Sequence, residues 1–296
     1  MDPSLVELID MYRKVKNGEA RHKQFKNLLT QSYGCLPIHG FSQRGNSCHF
    51  NSLIQAIISL RTFILFIVLN PNKITTPIFK TIKGYFSRAI LTQTPLENEA
   101  ALIYRKLVEA NLSIPIPYDQ QDSGEMLLFL IDIAKLEPVF EHHYKKYSRC
   151  SVCDHIDVLN ESIPGVIIFL NRENPSIITS LISDPVPSTD KCKNCDNKSL
   201  LLYLILQPPE NVIIFQFSDL TYQQKKLPEH ITIRGVNMKL TAAIIYYSAG
   251  AYGGHYICQV NRNDEWYSIN DNNIKKISYH TIDWDRAYLV FYERIL

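Results

Sequence analysis

The spacing of hydrophobic residues changes near residue 150. From Cys48 to about Glu137 the apolar residues mostly recur at helical intervals. After Cys150 they come instead in short β-branched or aromatic runs separated by Pro, Asn, Asp and Gly. These runs are "GVIIFL", "LLLYLIL", "NVIIFQF", "HITIRGV", "AAIIYY", "HYICQV" and "AYLVFYERI". We therefore predict an α+β fold in which a helical lobe precedes a mostly β half, with the functional site in the cleft between them.

The first 35 residues differ in composition from the rest of the chain. They are rich in Lys, Arg, Glu and Leu, and their early apolar residues have roughly helical spacing. We predict a helical N-terminal extension, residues 1–35, with no chemistry of its own.

A cysteine stands where one helix is predicted to begin. The apolar residues after this cysteine have helical spacing and predict one face of an amphipathic helix. They are Phe50, Leu53, Ile54, Ile57 and Ile58. Asn46 or Ser47 can cap this helix, and Gly45 permits a tight loop before it. The positive end of the helix would favour a thiolate at Cys48, as a nucleophile requires. The alternative is a buried cysteine that acts as a small hydrophobic residue.

A histidine near the C-terminus is the candidate base. His255 follows two glycines and begins an alternating strand, and Trp266 to Asn270 reads as the next strand of a hairpin. A turn centred between Arg262 and Asn263 would place His255 directly opposite Asn270, whose amide could orient the imidazole. Asp271 is the alternative orienting residue if a bulge shifts the register. Cys48, His255 and Asn270 are the residue types of a papain-like thiol protease site.

Composition and charge exclude some classes of protein. The chain has 296 residues, of which 46% are hydrophobic, and 31 basic against 29 acidic residues give a net charge of +2. This balance leaves no excess of basic residues that would indicate binding to nucleic acid or to an anionic membrane. The most apolar run, Phe63 to Leu69, is too short to span a bilayer, and the first ten residues lack a signal-peptide layout. We expect a soluble intracellular protein, cytoplasmic or nuclear.

Four of the seven cysteines form two C-x-x-C pairs, Cys150 with Cys153 and Cys192 with Cys195. Two matched pairs are typical of one tetrahedral zinc site of four thiolates, and they favour it over two independent redox centres. The 38 residues between the pairs fit a β insertion that returns on itself. His155 is a possible substitute ligand. A zinc held by four protein ligands would be structural.

Several motifs resemble one family. "GFSQRGNSCHFNSLIQ" resembles the Cys box of the ubiquitin-specific proteases, which are ubiquitin carboxyl-terminal hydrolases of papain-like type, and "GGHYICQV…EWYSIND" resembles their His box. "YDQQDSGEMLLFLIDIA" looks like the segment between those boxes, and "AYLVFYERI" looks like the closing strand. The resemblance covers roughly residues 36–296. It implies a papain-like fold with a helical thumb (about 36–149), zinc-ribbon β fingers (about 150–220) and a β palm (mainly 221–296).

The resemblance also implies roles for single residues. Cys48 would be the nucleophile, His255 the general base and Asn270 the third member, with Asp271 matching an acidic neighbour. Gln43 stands where the family usually has an Asn whose side-chain amide stabilises the oxyanion. Near the cleft, the polar side chains of Gln120, Gln121 and Asp122 would help to hold the ubiquitin tail, and a simple capped helix is the alternative there.

The function that follows is a deubiquitinating thiol protease. It would act as a monomer on ubiquitin and ubiquitinated proteins, with one structural zinc, no catalytic cofactor, and no nucleic acid or membrane partner. Departures such as His49 and Phe50 for the usual Tyr-Met indicate a divergent member. The alternatives are the same chemistry on another ubiquitin-like modifier, a member that binds ubiquitin without turnover, and, as an outsider, a zinc-ribbon nucleic-acid binder.

Overall fold

The structure, a computed structural model, describes residues 38–69, 76–92, 99–110, 121–170, 182–183, 185–217, 226–250 and 253–295. The predicted N-terminal extension lies outside these ranges. Within them the helices come first along the chain. They are α1 (Cys48–Ile58), α2 (Arg61–Leu69), α3 (Pro77–Thr92), α4 (Glu99–Ala110), α5 (Ser123–Ala134) and the short α6 (Glu137–Phe140).

The helix predicted after Ser47 is α1. It was predicted to have one buried and one exposed face, but no face of it is exposed. All eleven of its residues are buried, because α4 and α5 cover it on the helical side and strands of the β half cover it on the other. A helix enclosed in this way has no face in water, so its polar residues must find partners inside the protein. Among the described helices, no single one is long and apolar enough to cross a membrane.

The strands follow the helices and form two sheets, which confirms the α+β prediction. The strands are β1 (His142–Cys150), β2 (Ile156–Gly165), β3 (Ile167–Leu170), β4 (Val186–Ser188), β5 (Leu200–Leu206), β6 (Val212–Phe217), β7 (His230–Ile233), β8 (Val236–Ser248), β9 (Gly254–Arg262), β10 (Glu265–Asn270), β11 (Asn273–Ile277) and β12 (Ala287–Arg294). The small sheet has the order β2-β1-β5-β4. The large sheet has the order β11-β10-β9-β8-β12-β6-β3, with β7 paired to β8.

The two sheets interleave along the chain. Strands β3 and β6 of the large sheet fall before and after strands β4 and β5 of the small one. A single boundary near residue 220 therefore does not separate the strands of the two sheets. The division into fingers and palm stays a prediction.

The large sheet separates two hydrophobic cores. Because side chains alternate across a strand, Ile214 and Ile244 face α1 and the other helices, whereas Ile213 and Ile245 face the opposite core with Trp284. The sheet thus holds α1 on one of its faces, and α1 lies directly against β9. This packing brings the predicted nucleophile and the predicted base into one region.

The predicted hairpin of β9 and β10 is present, but its register was predicted wrongly. Arg262 pairs with Glu265, so the turn consists of Asn263 and Asp264, both with positive φ. Two such residues in a two-residue turn match the right-handed twist of a hairpin, and Asn and Asp tolerate this conformation well. The turn is therefore centred one residue later than predicted, and His255 is not directly opposite Asn270. The shift moves the pairing by two residues and keeps both side chains on the same face.

Candidate active site

Cys48 is the first residue of α1, as predicted. The loop before it turns at Gly45, whose φ of 60° lies in the left-handed region that glycine adopts readily. Ser47 occupies the N-cap position, but its side chain makes no capping bond to the helix. Its Oγ instead accepts a hydrogen bond from the backbone N–H of Arg44 at 3.0 Å. The hydroxyl therefore closes the loop, and the prediction of a cap by the Ser47 side chain was wrong.

The electrostatics around Cys48 differ from the prediction. Burial raises the pKa of its thiol above the usual value, and nearby backbone N–H groups, chiefly that of Tyr256, oppose this effect. The charge of Asp271 adds to the increase. Burial outweighs the N–H groups at the helix start, so the thiol is the resting form and ionisation requires a base.

His255 and Asn270 meet although they are not directly opposite. Nε2 of His255 lies 2.7 Å from Oδ1 of Asn270. Since an amide oxygen only accepts hydrogen bonds, Nε2 is the nitrogen that carries the proton. In a neutral imidazole the other ring nitrogen, Nδ1, is then the one that can accept a proton. Diagonal neighbours on one face of a hairpin lie within reach of side chains of this length.

Cys48 lies beside the same strand. Its thiol lies near the backbone N–H of Tyr256, the residue that follows His255. The ring of Tyr256 packs between Tyr246 and Tyr288, with centroid distances of 4.6 and 6.0 Å. Gln43, the predicted oxyanion donor, is exposed on the loop that leads to Cys48.

Asp271 belongs to the turn after β10 rather than to a strand. It has a positive φ and is buried, and burial raises the pKa of its carboxyl group. Its Oδ1 accepts a 2.7 Å hydrogen bond from Nδ2 of Asn51, and its backbone oxygen accepts one of 2.9 Å from the N–H of Phe41. The carboxylate is thus directed towards α1, and its charge still acts on His255.

Asn51 and Gly40 were not identified from the sequence. Asn51 is buried on α1, four residues after Ser47, and a β-carbon at Gly40 would lie 2.3 Å from the backbone oxygen of Asp271. Only glycine permits so close an approach of the two segments. The available signal for Asn51 was an amide on a helix predicted to pack against the core, because such a group needs a partner when buried.

The helix after the doubled glutamine is capped as predicted. Asp122 accepts hydrogen bonds from the N–H groups of Gly124 at 2.7 Å and Glu125 at 3.0 Å through Oδ1. Its Oδ2 accepts one from the hydroxyl of Tyr288, which also accepts one from Nε2 of Gln216. Gln121 is half-buried beside this cap, and Gln120 lies outside the described residues. The core-facing residues Met126, Leu127, Leu130 and Ile131 are all buried.

The four cysteines predicted as metal ligands lie together. Their sulfur atoms are all within 4.8 Å of one another, and two pairs, Cys150 with Cys195 and Cys153 with Cys192, are 3.6 Å apart. A tetrahedral zinc with Zn–S distances of about 2.3 Å separates its ligand sulfurs by about 3.8 Å. The cluster can therefore hold one metal ion. His155 is not part of the cluster, and its Nε2 lies 3.4 Å from Oδ1 of Asp157.

The two C-x-x-C turns have matching backbone geometry. In each, the first cysteine accepts a hydrogen bond at its carbonyl from a residue with positive φ, Asp154 in one turn and Asp196 in the other. Asn194 and Asn197 also direct side-chain N–H groups to cysteine sulfurs, at 3.6 and 3.3 Å. Such donors stabilise thiolates and orient metal ligands.

Comparisons with known proteins identify the family of the chain. The family model described as "Ubiquitin carboxyl-terminal hydrolase" matches residues 39–292. Ubiquitin carboxyl-terminal hydrolase 23 of Arabidopsis thaliana is 34% identical over 61 residues, which are 20% of this chain and 7% of that protein. The chain thus matches only a small part of the length of this relative.

Two solved structures share the fold. One is the SAGA DUB module of Ubp8, Sgf11, Sus1 and Sgf73 bound to monoubiquitin, with a TM-score of 0.75, 15% identity, and coverage of 89% of this chain and 70% of that chain. The other is the same module bound to ubiquitin aldehyde, with a TM-score of 0.74, 16% identity, and coverage of 89% and 71%. At this identity they show the fold alone. Because the family model covers most of the chain, we conclude that the chain belongs to the ubiquitin carboxyl-terminal hydrolase family.

Proposed function

We propose that the chain is a cysteine-type deubiquitinase that hydrolyses the bond after the C-terminal glycine of ubiquitin. The observation that carries the proposal is the hydrogen bond from His255 to Asn270, with the thiol of Cys48 beside the residue that follows His255. This arrangement has the three parts of a thiol protease site: a nucleophile, a base and a group that orients the base.

The first step is proton transfer. Because burial holds Cys48 in its thiol form, Nδ1 of His255 removes the proton as the sulfur attacks the carbonyl carbon of the ubiquitin glycine. The imidazolium that forms is stabilised by the nearby charge of Asp271 and held in place by Asn270. His255 then protonates the leaving lysine amine, and the thioester forms.

The oxyanion needs donors during attack and again during hydrolysis. The backbone N–H of Cys48 at the start of α1 and the side-chain amide of Gln43 are the groups we assign to it. In the second half of the reaction, water loses a proton to His255 and attacks the thioester, which releases ubiquitin and restores the thiol. No catalytic cofactor takes part in these steps.

Recognition and stability involve other regions. The segment around Gln121 and Asp122 is the part of the cleft that we assign to the ubiquitin tail. We infer that the metal in the four-cysteine cluster is zinc, because four thiolates in a closed tetrahedral set are typical of structural zinc. It would stabilise the small sheet, at whose end the described residues form a core of Leu200 and the cysteines.

A fluorogenic ubiquitin C-terminal aminocoumarin tests the activity. We expect hydrolysis by the wild-type chain and none by Cys48→Ala. Cys258→Ala is the matched control, because Cys258 is a buried cysteine within the core. Equal hydrolysis by Cys48→Ala and the wild type would exclude the mechanism. The same assay with other ubiquitin-like modifiers separates a deubiquitinase from an enzyme for another modifier.

A further inference from the structure

A cavity of about 330 Å³ opens beside the catalytic loop, between the start of α1 and α4. Ser47 and Asn51 lie on its α1 side, and Tyr104 and Val108 lie on its α4 side. The ring of Tyr104 is stacked on Phe50, with centroids 4.9 Å apart, so this wall is firmly packed. The volume is at the lower end of the range of ligand pockets, about 300–1,000 Å³.

The described residues that line this cavity give it a positive charge. Arg44 and Arg105 line it and are exposed, and no acidic residue is among the described residues that line it. The guanidinium of Arg105 forms no ion pair within the described part of the chain, whereas its neighbour Lys106 is paired with Glu109. The charge of Arg105 is therefore available for an anionic partner.

The cavity lies beside the nucleophile, where it can contact a bound substrate. Two residues that line the cavity adjoin the nucleophile: Ser47 directly precedes Cys48, and Asn51 lies one turn after Cys48 on α1. An isopeptide substrate has a second part, the protein that donates the lysine. Residues next to that lysine lie within about 7 Å of it along an extended chain, which is close enough to enter a cavity adjoining Ser47.

We propose that this cavity, lined by Arg44 and Arg105, binds an acidic side chain next to the modified lysine of the donor protein. The inference rests on the proposed function, because it requires isopeptide cleavage at Cys48. A carboxylate would contact the guanidinium of Arg105, with its methylene groups against Tyr104 and Val108. The chain would then prefer ubiquitin conjugates at lysines flanked by Asp or Glu.

The test uses ubiquitin joined through an isopeptide bond to the lysine of a short fluorescent peptide. One peptide has Glu on both sides of the lysine, the second has Gln, and the third has Lys. Each kcat/KM is divided by the value for ubiquitin aminocoumarin, which has no donor residues. We expect the wild type to prefer the Glu peptide over the Gln peptide about fivefold, as one or two exposed ion pairs allow, and to lose this preference at high salt.

Variants at adjacent positions of α4 make the test specific. Arg105→Gln should remove most of the preference, and Arg105→Glu should reverse it in favour of the Lys peptide, a gain that misfolding cannot produce. Lys106→Gln, whose residue does not line the cavity, should keep the preference. Equal cleavage of the Glu and Gln peptides by the wild type, or an equal loss in the two Gln variants, would overturn the inference. If the wild type does not cleave ubiquitin aminocoumarin, the proposed function itself fails.

Discussion

Asn51 and Asp271 are 220 positions apart in the chain and are joined by a buried hydrogen bond of 2.7 Å from Nδ2 of Asn51 to Oδ1 of Asp271. Asn51 lies one turn after Cys48 on α1, and Asp271 directly follows Asn270. The bond therefore connects the helix of the nucleophile to the turn that carries the group orienting His255. A second bond, from the N–H of Phe41 to the backbone oxygen of Asp271, supports the same turn.

Asn51→Ala should lower kcat by about 10- to 100-fold, because it leaves the buried carboxylate of Asp271 without its donor, at a cost of roughly 1.5–3 kcal/mol. KM should change little, since Asn51 acts through Asp271 and not on ubiquitin. Steady-state kinetics, normalised to active sites counted with a covalent ubiquitin probe, measure the effect on the folded fraction alone.

The reciprocal exchange at these two positions is the control. Asn51→Asp alone would place two carboxylates against each other and should be inactive or nearly so. Adding Asp271→Asn re-forms one amide-to-carboxylate bond and should recover part of kcat. If the double variant is no better than the single one, or if Asn51→Ala lowers stability without changing kcat, the bond has no positioning role.

The amide of Gln43 is expected to stabilise the oxyanion. Gln43→Glu keeps the shape of the side chain but removes its donor, so kcat should fall by about 10²- to 10³-fold, the usual loss for one oxyanion donor. Gln43→Asn should retain more activity than Gln43→Glu because it keeps the amide. Wild-type kcat in Gln43→Glu would show that the side chain does not contact the oxyanion.

Removal of metal should unfold the small sheet before the rest of the protein. The sulfurs of Cys150, Cys153, Cys192 and Cys195 lie close enough for one ion, and the core around them is very small. We expect about one zinc per chain by elemental analysis. Chelation should speed hydrogen exchange in β1, β2 and β5 while α1 stays protected. A chain purified without zinc that nevertheless shows full protection in these strands would contradict the assignment.

His142 should make the chain less stable in acid. It is 3% exposed, neither ring nitrogen has a hydrogen-bond partner among the described residues, and burial lowers its pKa to about 4. Between pH 6.5 and 4 the unfolded chain binds a proton that the folded chain does not, so the free energy of unfolding decreases as pH falls, by roughly 1.4 kcal/mol per pH unit.

His142→Phe removes this contribution and should gain about 2 kcal/mol relative to the wild type between pH 7 and pH 5, measured by urea unfolding. His143→Gln is the comparison variant and should change the slope less than His142→Phe, since burial is the main cause of the lowered pKa of His142 and the charge of His143 is the smaller one. The same difference between His142→Phe and wild type at both pH values would show that His142 does not titrate on unfolding.

Short-range patterns predicted the secondary structure and the cysteine cluster well. The helical spacing after Cys48 and the C-x-x-C pairs depend on neighbouring residues, and both are present in the structure. The hairpin was predicted but not its register, because Asn263 and Asp264 form a turn as readily as the residues one position earlier. His255 and Asn270 still met because a two-residue shift preserves the face.

Long-range contacts could not be predicted from these patterns. The burial of all of α1 depends on helices and strands that are distant in sequence, and burial is what raises the pKa of Cys48. The partner of Asn51 is also distant, so its role required the packing of β10 against α1. Gly40 could be recognised only after the backbone of Asp271 was placed beside it.

The proposed mechanism requires Cys48 as the nucleophile and His255 as its base. Incubation with ubiquitin that carries a C-terminal electrophile, followed by mass analysis of the labelled peptides, tests it most directly. We predict one adduct per chain, on Cys48, none with Cys48→Ala, and much slower labelling with His255→Ala. An adduct on another cysteine, or binding of the probe without any adduct, would contradict this mechanism.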